Sequence, residues 1–443
     1  GNEATSRPDD YPDDTILVSE ELTPAMLGEV PTDKLRAMVS VKGSSNSHVA
    51  ILARAMGIPT VMGAVDLPHA QLDGKDLIVD GYRGLLFSNP SDELREQYYA
   101  IYEEEQALAE DLEGLLHQPA ETLDGHRIPL WVNTGLITDA LRSRDRGAEG
   151  VGLYRTEVPF MMKDRFPSES EQQEIYREQL ETFSPDPVTM RTLDIGGDKA
   201  LTYFPINEAN PFLGWRGIRV TLDHPEIFLV QVRAMMKASE GLNNLRIMLP
   251  MISNVAEVDT ALHLIYRAHV ETLEEGFKVE MPEVGVMVEV PAAVYQIKDL
   301  AQRVDFLSVG SNDLTQYLLA VDRNNPRVAD LYQAFHPGVL QALKRIVDDA
   351  KAEGKPVSVC GELAGNPMGA VLLMAMGYDC LSMNATNLPK VKSVLRGISR
   401  EWAEKLLEEV ITMESGEVIA STLQLMLEKA GFGRIIGPNV GLN

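Results

Sequence analysis

Two neighbouring stretches decide the fold class: Glu283-Val-Gly-Val-Met-Val-Glu289-Val-Pro291 and Phe306-Leu-Ser-Val-Gly-Ser-Asn-Asp313. Each is a short apolar run followed closely by a carboxylate. Apolar runs of this length are typical of parallel strands that are buried on both faces. Glu289 and Asp313 then lie just beyond the carboxyl ends of two strands, which is the face where active sites of barrel enzymes lie.

The same strand–helix rhythm runs from about residue 124 to the end of the chain. Eight such units in about 300 residues fit an α/β fold of the TIM, or (β/α)8, barrel type. A doubly wound α/β sheet is the alternative, but no Gly-x-Gly-x-x-Gly follows the first strand. The strands are predicted at 130–133, 150–154, 189–193, 246–251, 283–288, 306–309, 356–359 and 380–383.

The region ahead of the barrel has a different sequence pattern. Ser91 is a candidate N-cap for a long acidic helix that Pro119 ends, and we interpret it as a linker between two bodies. An ordinary surface helix of a single domain is the alternative. The predicted division is a disordered acidic start at 1–14, a small α/β domain at 15–90, a helical linker at 91–122 and the barrel at 123–443.

Composition excludes several function classes. A formal net charge of -26 argues against general nucleic-acid binding, which needs a basic face. No apolar run approaches the length of a membrane span, and residues 1–14 lack the basic and apolar regions of a signal peptide. Two cysteines cannot build a disulfide framework, so we expect a cytoplasmic protein. The chain begins with Gly rather than Met, so we expect a processed or cut fragment.

Arginines cluster after the second and third predicted strands. Arg155 follows the second strand, Arg191 lies in the third, and Arg216 lies in the loop beyond it. The planar guanidinium binds phosphate and carboxylate oxygens bidentately, which suits a small, doubly anionic substrate. A surface salt bridge is the commoner role of any one arginine alone. Three at one end of a barrel favour a binding site, which an acidic protein needs in order to attract an anion.

Glu289 and Asp313 follow apolar runs, where a lone carboxylate is costly unless it is paired or binds a metal. Together with water and substrate oxygens they would suit Mg²⁺, and ion pairs with the arginines are the alternative. Cys360 ends the seventh strand, and we expect the following Gly361 to expose its thiol toward the same face. A proton donor or nucleophile is one interpretation of Cys360, and a small buried hydrophobe is the other. We assign Cys380, inside the eighth strand, to the core.

A histidine stands apart from these groups. His48 follows a Gly/Ser-rich turn and falls in the first turn of a predicted helix. Exposed N–H groups and the helix dipole favour an added phosphate there, and histidine is a competent nucleophile. Capping or packing is the alternative, and local physics does not decide between them.

In order and spacing these stretches resemble the Enzyme I family, the phosphoenolpyruvate–protein phosphotransferases of the phosphotransferase system. The resemblance runs from about residue 15 almost to the end of the chain. Its motifs are Ser47-His48, Gly152-Leu-Tyr-Arg155-Thr-Glu157, Leu193-Asp-Ile-Gly-Gly-Asp198-Lys199, Asn210-Pro-Phe-Leu-Gly-Trp-Arg216, Glu289-Val-Pro291, Ser311-Asn312-Asp313-Leu-Thr-Gln316, Asp322-Arg323-Asn-Asn325 and Cys360-Gly-Glu-Leu-Ala-Gly365.

The resemblance implies a role for each motif. His48 accepts the phosphoryl group of phosphoenolpyruvate and passes it to a small histidine phosphocarrier protein, while Cys360 protonates the enolate carbon to give pyruvate. Glu289 and Asp313 bind Mg²⁺. The family's small domain swivels on the linker, and its barrel forms homodimers. The substrate's phosphate and carboxylate are held by Arg155, Arg191, Arg216 and Arg323, with Asn312 also at the phosphate.

Two departures from the family pattern indicate the branch. Gly43-Ser44 stands where the sugar-transport branch has two glycines, and Ser45-Asn46 replaces a basic residue and threonine, which is closer to the nitrogen-related branch. That branch carries an N-terminal sensory domain. The carrier-docking subdomain and the first strand of the phosphohistidine domain do not appear ahead of residue 15. We therefore expect a fragment that phosphorylates itself but relays the group poorly.

Two further functions remain as alternatives. One is a fragment of pyruvate phosphate dikinase or phosphoenolpyruvate synthase, which need an ATP-grasp domain that this sequence does not show. The other is a regulatory module that senses phosphoenolpyruvate without turnover, against which the intact His48, Cys360 and carboxylates argue.

Overall fold

The structure is a computed structural model that describes residues 10–23, 26–27, 29–31, 33–42, 49–50, 53, 56–64, 66–323, 325 and 327–437. It divides into two compact units, Gly1–Asp111 and Leu112–Asn443. No helix among the described residues is long and apolar enough to cross a membrane. His48 lies outside the described residues, as do residues 1–9 of the predicted disordered start.

The first unit contains a parallel three-stranded sheet and a separate hairpin. The hairpin pairs two antiparallel strands. At its turn, Oδ1 of Asp80 accepts the backbone N–H groups of Tyr82 and Arg83 at 3.1 and 3.0 Å, and Gly84 supplies a φ of +69°. The sheet strands are β1 (Thr15–Ser19), β2 (Leu35–Ser40) and β3 (Thr60–Met62), and the hairpin strands are β4 (Leu77–Asp80) and β5 (Leu85–Ser88).

A single helix, Asp92–Glu113, follows the hairpin. The hydroxyl of Ser91 accepts the backbone N–H of Leu94 at 3.2 Å, which is the capping contact expected at a helix start. Leu112 is the buried residue of this helix, at its carboxyl end. The rest is largely exposed, because the acidic side chains that dominate its sequence are stable in water.

The second unit is a closed barrel of eight parallel strands, so the predicted TIM barrel is confirmed and the doubly wound alternative is wrong. Each strand pairs with its sequence neighbours, and the last pairs with the first. Most strand residues are buried, as expected when helices cover a parallel sheet. The strands are β6 (Leu130–Thr134), β7 (Val151–Arg155), β8 (Val188–Arg191), β9 (Leu245–Leu249), β10 (Glu283–Val288), β11 (Phe306–Val309), β12 (Val357–Val359) and β13 (Cys380–Met383).

Helices lie between consecutive strands and after the last one. Their buried faces form one large apolar cluster with the outward faces of the strands. The helices are Ile137–Asp145, Glu157–Met161, Glu169–Phe183, Ile218–Asp223, Pro225–Ala238, Val255–Glu274, Pro291–Val294, Ile297–Ala301, Ser311–Leu319, Pro337–Ala352, Pro367–Met376, Leu388–Arg396, Arg400–Val410, Gly416–Leu427 and Gly433–Ile436.

The amino-terminal end of the barrel interior is filled by an arginine between two aromatic rings. The guanidinium of Arg246 lies 3.7 Å from the ring centroid of Phe306 and 5.0 Å from that of Trp131. Its Nε lies 3.2 Å from a carboxylate oxygen of Glu283. Gly285 is the register partner of Phe306 on the neighbouring strand. The ring occupies the space that a side chain at Gly285 would need, so this end of the barrel is closed by packed side chains.

We predict that Gly285→Ala destabilises the barrel by about 1–3 kcal/mol, because overpacking forces neighbours off their preferred positions. A Cβ at this position would lie 2.3 Å from the Phe306 ring, which the Arg246 guanidinium also contacts. Urea unfolding followed by circular dichroism measures the change. Gly114→Ala is the matched control, since a Cβ at Gly114 meets nothing within 4 Å. Equal stability of the two variants would contradict the packing described for Phe306.

Candidate active site

The predicted site residues of the second unit lie at the carboxyl ends of barrel strands. Arg155 and Arg191 are the last residues of β7 and β8. Glu289 and Cys360 directly follow β10 and β12, and Asp313 lies in the first turn of the helix after β11. Because parallel strands of a barrel all end on one face, the fold brings these side chains to one site.

One carboxylate lies between three cationic side chains. Asp194 is fully buried, and its carboxylate oxygens lie 2.7 Å from Nζ of Lys199, 3.5 Å from Nη1 of Arg191 and 3.5 Å from Nε of Arg216. Burial alone would raise the pKa of Asp194, but Lys199, Arg216 and Arg191 outweigh it and hold that pKa well below its usual value. Asp194 therefore stays charged and holds the two arginines together.

Arg191 has a second carboxylate partner. Its Nη2 lies 2.5 Å from Oε1 of Glu157, and Nζ of Lys199 lies 3.5 Å from the same oxygen. Burial opposes the charge on Glu157, yet Arg191 and Lys199 keep its pKa below the usual value. Among the described residues, Nε of Arg191 and Oε2 of Glu157 have no hydrogen-bond partner. The guanidinium of Arg191 therefore keeps a buried donor that can bind an anion.

Arg216 reaches the site from the loop after β8. Its Nη1 and Nη2 donate to the two oxygens of Asp313 at 3.2 and 3.1 Å, and Nη1 also donates to the hydroxyl of Tyr317 at 3.1 Å. Burial raises the pKa of Asp313, but Arg216 brings it down to about 2. The ion-pair alternative considered from the sequence thus describes Asp313 in this structure.

Two consecutive glycines let this loop fold back to the site. Gly196 and Gly197 have φ values of +101° and +62°, which side-chain-bearing residues rarely adopt. A Cβ on Gly196 would lie 2.5 Å from the carbonyl oxygen of Trp215, and one on Gly197 would lie 3.3 Å from Cδ of Arg216. The glycines are therefore required by the close approach of Arg216.

Glu289 differs from Asp313 because no arginine among the described residues forms a hydrogen bond or ion pair with it, although Arg216 and Arg191 act on it from a distance. It is fully buried, and its Oε1 accepts the backbone N–H of Met251 at 2.6 Å. Met251 adopts a φ of +59° to make this contact, an unusual conformation for a side-chain-bearing residue. Burial, and then the charges of Asp313 and Asp194, raises the pKa of Glu289 to about 8. Within the described chain its Oε2 has no hydrogen-bond partner.

A divalent cation fits these two carboxylates. A buried carboxylate oxygen without a donor, beside a second carboxylate that disfavours its charge, is an environment that a cation would stabilise. Among the residues described, no group of three or more His, Cys, Asp or Glu is arranged to hold a metal by itself. Glu289 and Asp313 would therefore need substrate and water oxygens to complete the coordination of Mg²⁺.

Asn312 and Arg323 lie beside Asp313 on the same face. Oδ1 of Asn312 accepts the backbone N–H of Glu362 at 2.9 Å. The hydroxyl of Tyr332 donates to the backbone carbonyl oxygen of Asn312 at 3.2 Å. The Arg323 guanidinium lies 5.9 Å from the Tyr332 ring centroid. Burial lowers the pKa of Arg323, but Tyr332, Glu362 and Asp313 raise it overall. This arginine therefore remains charged within electrostatic range of Asp313.

Cys360 is buried rather than exposed toward the barrel mouth. Its side chain is 4% exposed, and its thiol lies 3.6 Å from the carbonyl oxygen of Val309. Burial raises the pKa of the thiol, while Arg191 and Arg155 act in the opposite direction. From the sequence we expected Gly361 to expose the thiol, and this prediction is wrong. A Cβ there would lie 1.8 Å from Oγ of Ser311, so the glycine is required by that close contact.

The structure connects the predicted barrel residues into one electrostatic cluster and adds three that the sequence did not assign. Arg191 interacts with Glu289 and Cys360, and Arg216 with Asp313 and Glu289. The added residues are the buried or half-buried charges Glu157, Asp194 and Lys199. Asp194 follows a strand that contains Thr189 and Arg191, so the rule of a carboxylate after an apolar run does not identify it.

We predict that Asp194→Asn destabilises the protein by about 3–5 kcal/mol, because it leaves buried guanidinium and ammonium charges without a counter-charge. Urea unfolding near neutral pH measures the loss. Asp259→Asn is the matched control, since the Asp259 side chain is 56% exposed and pairs with Arg303 at 3.0 Å. The control should lose less than about 1 kcal/mol. Equal losses would show that Asp194 does not balance the cluster.

Comparison with known proteins is consistent with this site. Residues 109–400 match the family model for the PEP-binding domain of PEP-utilising enzymes, and residues 11–84 match that for their mobile domain. A protein of Escherichia coli K12, named "Phosphoenolpyruvate-dependent phosphotransferase system", is 45% identical over 436 residues, which are 98% of this chain and 58% of that protein. The chain thus spans a little over half the length of that relative.

Two relatives are covered more completely. The phosphoenolpyruvate-protein phosphotransferase of Haemophilus influenzae is 38% identical over 94% of this chain and 73% of that protein. The protein of the same name from Geobacillus stearothermophilus is 38% identical over 94% of this chain and 72% of that protein. With two PEP-utiliser domains in order and a barrel carrying the cluster described above, the chain belongs to the phosphoenolpyruvate-protein phosphotransferases, the Enzyme I family.

Proposed function

We propose that this chain transfers the phosphoryl group of phosphoenolpyruvate to its own His48 and releases pyruvate. One observation supports this function most strongly. Buried arginines, the Glu289 carboxylate, whose Oε2 has no hydrogen-bond partner in the described chain, and a buried cysteine lie together at the carboxyl end of one barrel. The arginines would bind a small trianion, and the Glu289 carboxylate would bind a divalent cation. The cysteine would be the acid that a leaving enolate needs.

The arginines would bind the substrate from several sides. Arg191 and Arg216 are held rigid by Glu157, Asp194 and Asp313, so little entropy is lost when they bind oxygen atoms. Positioned charges of this kind are the main means by which proteins stabilise phosphoryl transfer. We assign the phosphate and carboxylate to Arg155, Arg191, Arg216 and Arg323, with Asn312 at the phosphate.

Glu289 and Asp313 would hold Mg²⁺, which when bound neutralises charge on the phosphoryl and enolate oxygens. Met251 fixes one oxygen of Glu289 through its backbone N–H and leaves the other available. Arg216 fixes Asp313 in a bidentate pair and stays beside it. These contacts orient the two carboxylates before any ligand arrives.

Cys360 would supply the proton that converts the enolate to pyruvate. Its raised pKa keeps the thiol protonated at neutral pH, as an acid requires. The side chain lies in an apolar cluster with Leu153, Met248, Met287 and Phe306, which suits a reaction at the substrate's methylene carbon. Water is excluded from such surroundings, so the enolate would take its proton from the thiol.

Several finer features extend the proposal. The family resemblance supports onward transfer to a histidine phosphocarrier protein, swivelling of the small domain on the linker, a cytoplasmic location and a homodimer formed through the barrel. The residues Gly43-Ser44 and Ser45-Asn46 favour the nitrogen-type branch. Incubating the phosphorylated chain with sugar-type and nitrogen-type carriers in turn distinguishes the branches, and light scattering measures the oligomeric state.

We predict that His48→Ala acquires no phosphate from labelled phosphoenolpyruvate and Mg²⁺ while it still binds the substrate, because the acceptor nitrogen is missing and the barrel is unchanged. Acid-labile, base-stable label on the intact chain measures the transfer, and calorimetry measures binding. His69→Ala, a histidine elsewhere in the same unit, is the control and should be labelled normally. Label on another residue in His48→Ala would refute the assignment. Binding without any label on the intact chain would favour a sensing module.

We predict that Glu289→Gln, which keeps the shape and removes the charge, weakens divalent-cation binding more than about tenfold, since even outer-shell partners of metal ligands matter that much. Binding of Mn²⁺, followed by electron paramagnetic resonance, measures the loss directly. Glu181→Gln is the control, because Glu181 is an exposed partner of Arg177 on a barrel helix. Unchanged Mn²⁺ binding in Glu289→Gln would remove this residue from the metal site.

A further inference from the structure

The Cys360 thiol has a pair of serine hydroxyls beside it inside the barrel. Ser308 on β11 and Ser358 on β12 are register partners. Side chains alternate along a strand, so Ser358 and Cys360, two residues apart, project from the same face. Oγ of Ser358 donates to Oγ of Ser308 at 3.1 Å, and the Ser308 side chain acts as a hydrogen-bonding neighbour that lowers the pKa of the Cys360 thiol.

The number of protons that each hydroxyl can donate sets the direction of the contacts that run from Ser358 through Ser308 to Cys360. A serine hydroxyl has one proton to donate and can accept two hydrogen bonds. Because Ser308 accepts the proton of Ser358, its own proton remains available for the sulfur of Cys360. The thiol proton itself points to the carbonyl oxygen of Val309, at 3.6 Å. The sulfur therefore donates to Val309 and has the Ser308 hydroxyl as a neighbouring donor.

The sulfur needs such a donor once it has lost its proton. Leu153, Met248, Met287 and Phe306 surround it, and these side chains cannot solvate an anion. Ser308 is 1% exposed, so its hydroxyl is held in place rather than shared with bulk water. A hydrogen bond to a charged partner is stronger than one between neutral groups, so the Ser308 contact strengthens when the thiolate forms.

We propose that Ser308, oriented by Ser358, is a positioning residue for Cys360 and stabilises the thiolate that remains after proton transfer. This inference rests on the proposed function, in which Cys360 is the acid. In the step, the S–H bond breaks and a C–H bond forms at the methylene carbon of the enolate. The S–H electron pair stays on sulfur, and the enolate becomes the ketone of pyruvate. The thiolate regains a proton from water after pyruvate has left.

A purely structural role is the competing explanation, because paired serines also satisfy polar groups inside a barrel. The two explanations differ in what Ser308→Ala changes. Loss of a structural pair alters stability and substrate binding without acting on the charge state of the sulfur. Loss of a donor to the thiolate raises the pH at which the thiol ionises and slows the proton-transfer step.

The test compares Ser308→Ala, Ser308→Thr and Ser358→Ala with the intact chain. Ionisation of Cys360 is followed as the ultraviolet difference spectrum of each protein against the same protein carrying Cys360→Ala, so that Cys380 cancels. Single-turnover formation of pyruvate gives the rate, and steady-state kinetics give KM for phosphoenolpyruvate. Ser239→Ala is the control, since Ser239 is also a buried serine but donates to the carbonyl oxygen of Met236 outside the site.

We expect Ser308→Ala to slow pyruvate formation roughly tenfold or more, as the loss of a hydrogen bond to a charged group predicts, with KM unchanged and thiolate formation moved to higher pH. Ser358→Ala should change the rate of pyruvate formation and the pH of thiolate formation in the same direction but by less. It replaces Ser308→Ala in the test if that variant fails to fold. Ser308→Thr keeps the hydroxyl and should keep the titration. Ser239→Ala should match the intact chain.

Three outcomes would overturn the inference. If Cys360→Ala forms pyruvate at the normal rate, Cys360 is not the acid, and its part of the proposed function is wrong together with the role of Ser308. If Cys360→Ala loses that rate but Ser308→Ala keeps both rate and titration, only the role of Ser308 is wrong. If Ser308→Ala changes stability and KM while the thiolate titration stays in place, the serine pair is structural.

Discussion

The contact of Asp194 with Lys199, Arg191 and Arg216 is the interaction on which the site depends. Buried cations carry a desolvation cost of several kcal/mol each, which an ion pair offsets only when its geometry and hydrogen bonds are complete. The barrel end meets this condition by matching three cations with three carboxylates, since Glu157 and Asp313 complete the set. The arginines therefore remain charged and ordered at this end of the barrel, although the protein's net charge of -26 repels anions elsewhere.

The pairing of cations with carboxylates also explains why the two candidate metal ligands, Asp313 and Glu289, differ in pKa. Asp313 takes part in the charge balance through Arg216, and its pKa falls to about 2. Glu289 is left outside that balance, because Met251 offers it only a backbone N–H. Burial and the charges of Asp313 and Asp194 outweigh the attraction of Arg216 and Arg191, and the pKa of Glu289 rises to about 8. A divalent cation held by both carboxylates would supply the counter-charge that Glu289 lacks within the described chain.

Sequence and structure agree best where one physical rule acts alone. Barrel strands were placed within a residue or two, because runs buried on both faces leave an unbroken apolar signal. A carboxylate that closely follows such an apolar run indicated Glu289 and Asp313. Asp194 instead follows Thr189-Met-Arg-Thr-Leu193, which is not apolar throughout, so this rule does not find it. Arg216 reaches the site from a loop, and Gly361 is fixed by a contact with Ser311, so tertiary packing decides both.

The two cysteines show how position within a barrel separates chemistry from packing. Burial raises the pKa of both thiols, so both are protonated at neutral pH. Cys380 is the first residue of β13, so it lies toward the amino-terminal end of the barrel, within electrostatic range of Arg246. Cys360 lies one residue past its strand, within the field of Arg191 and beside the hydroxyl of Ser308. An acid must lose its proton as well as hold it, and of these two surroundings the one at Cys360 can stabilise the thiolate.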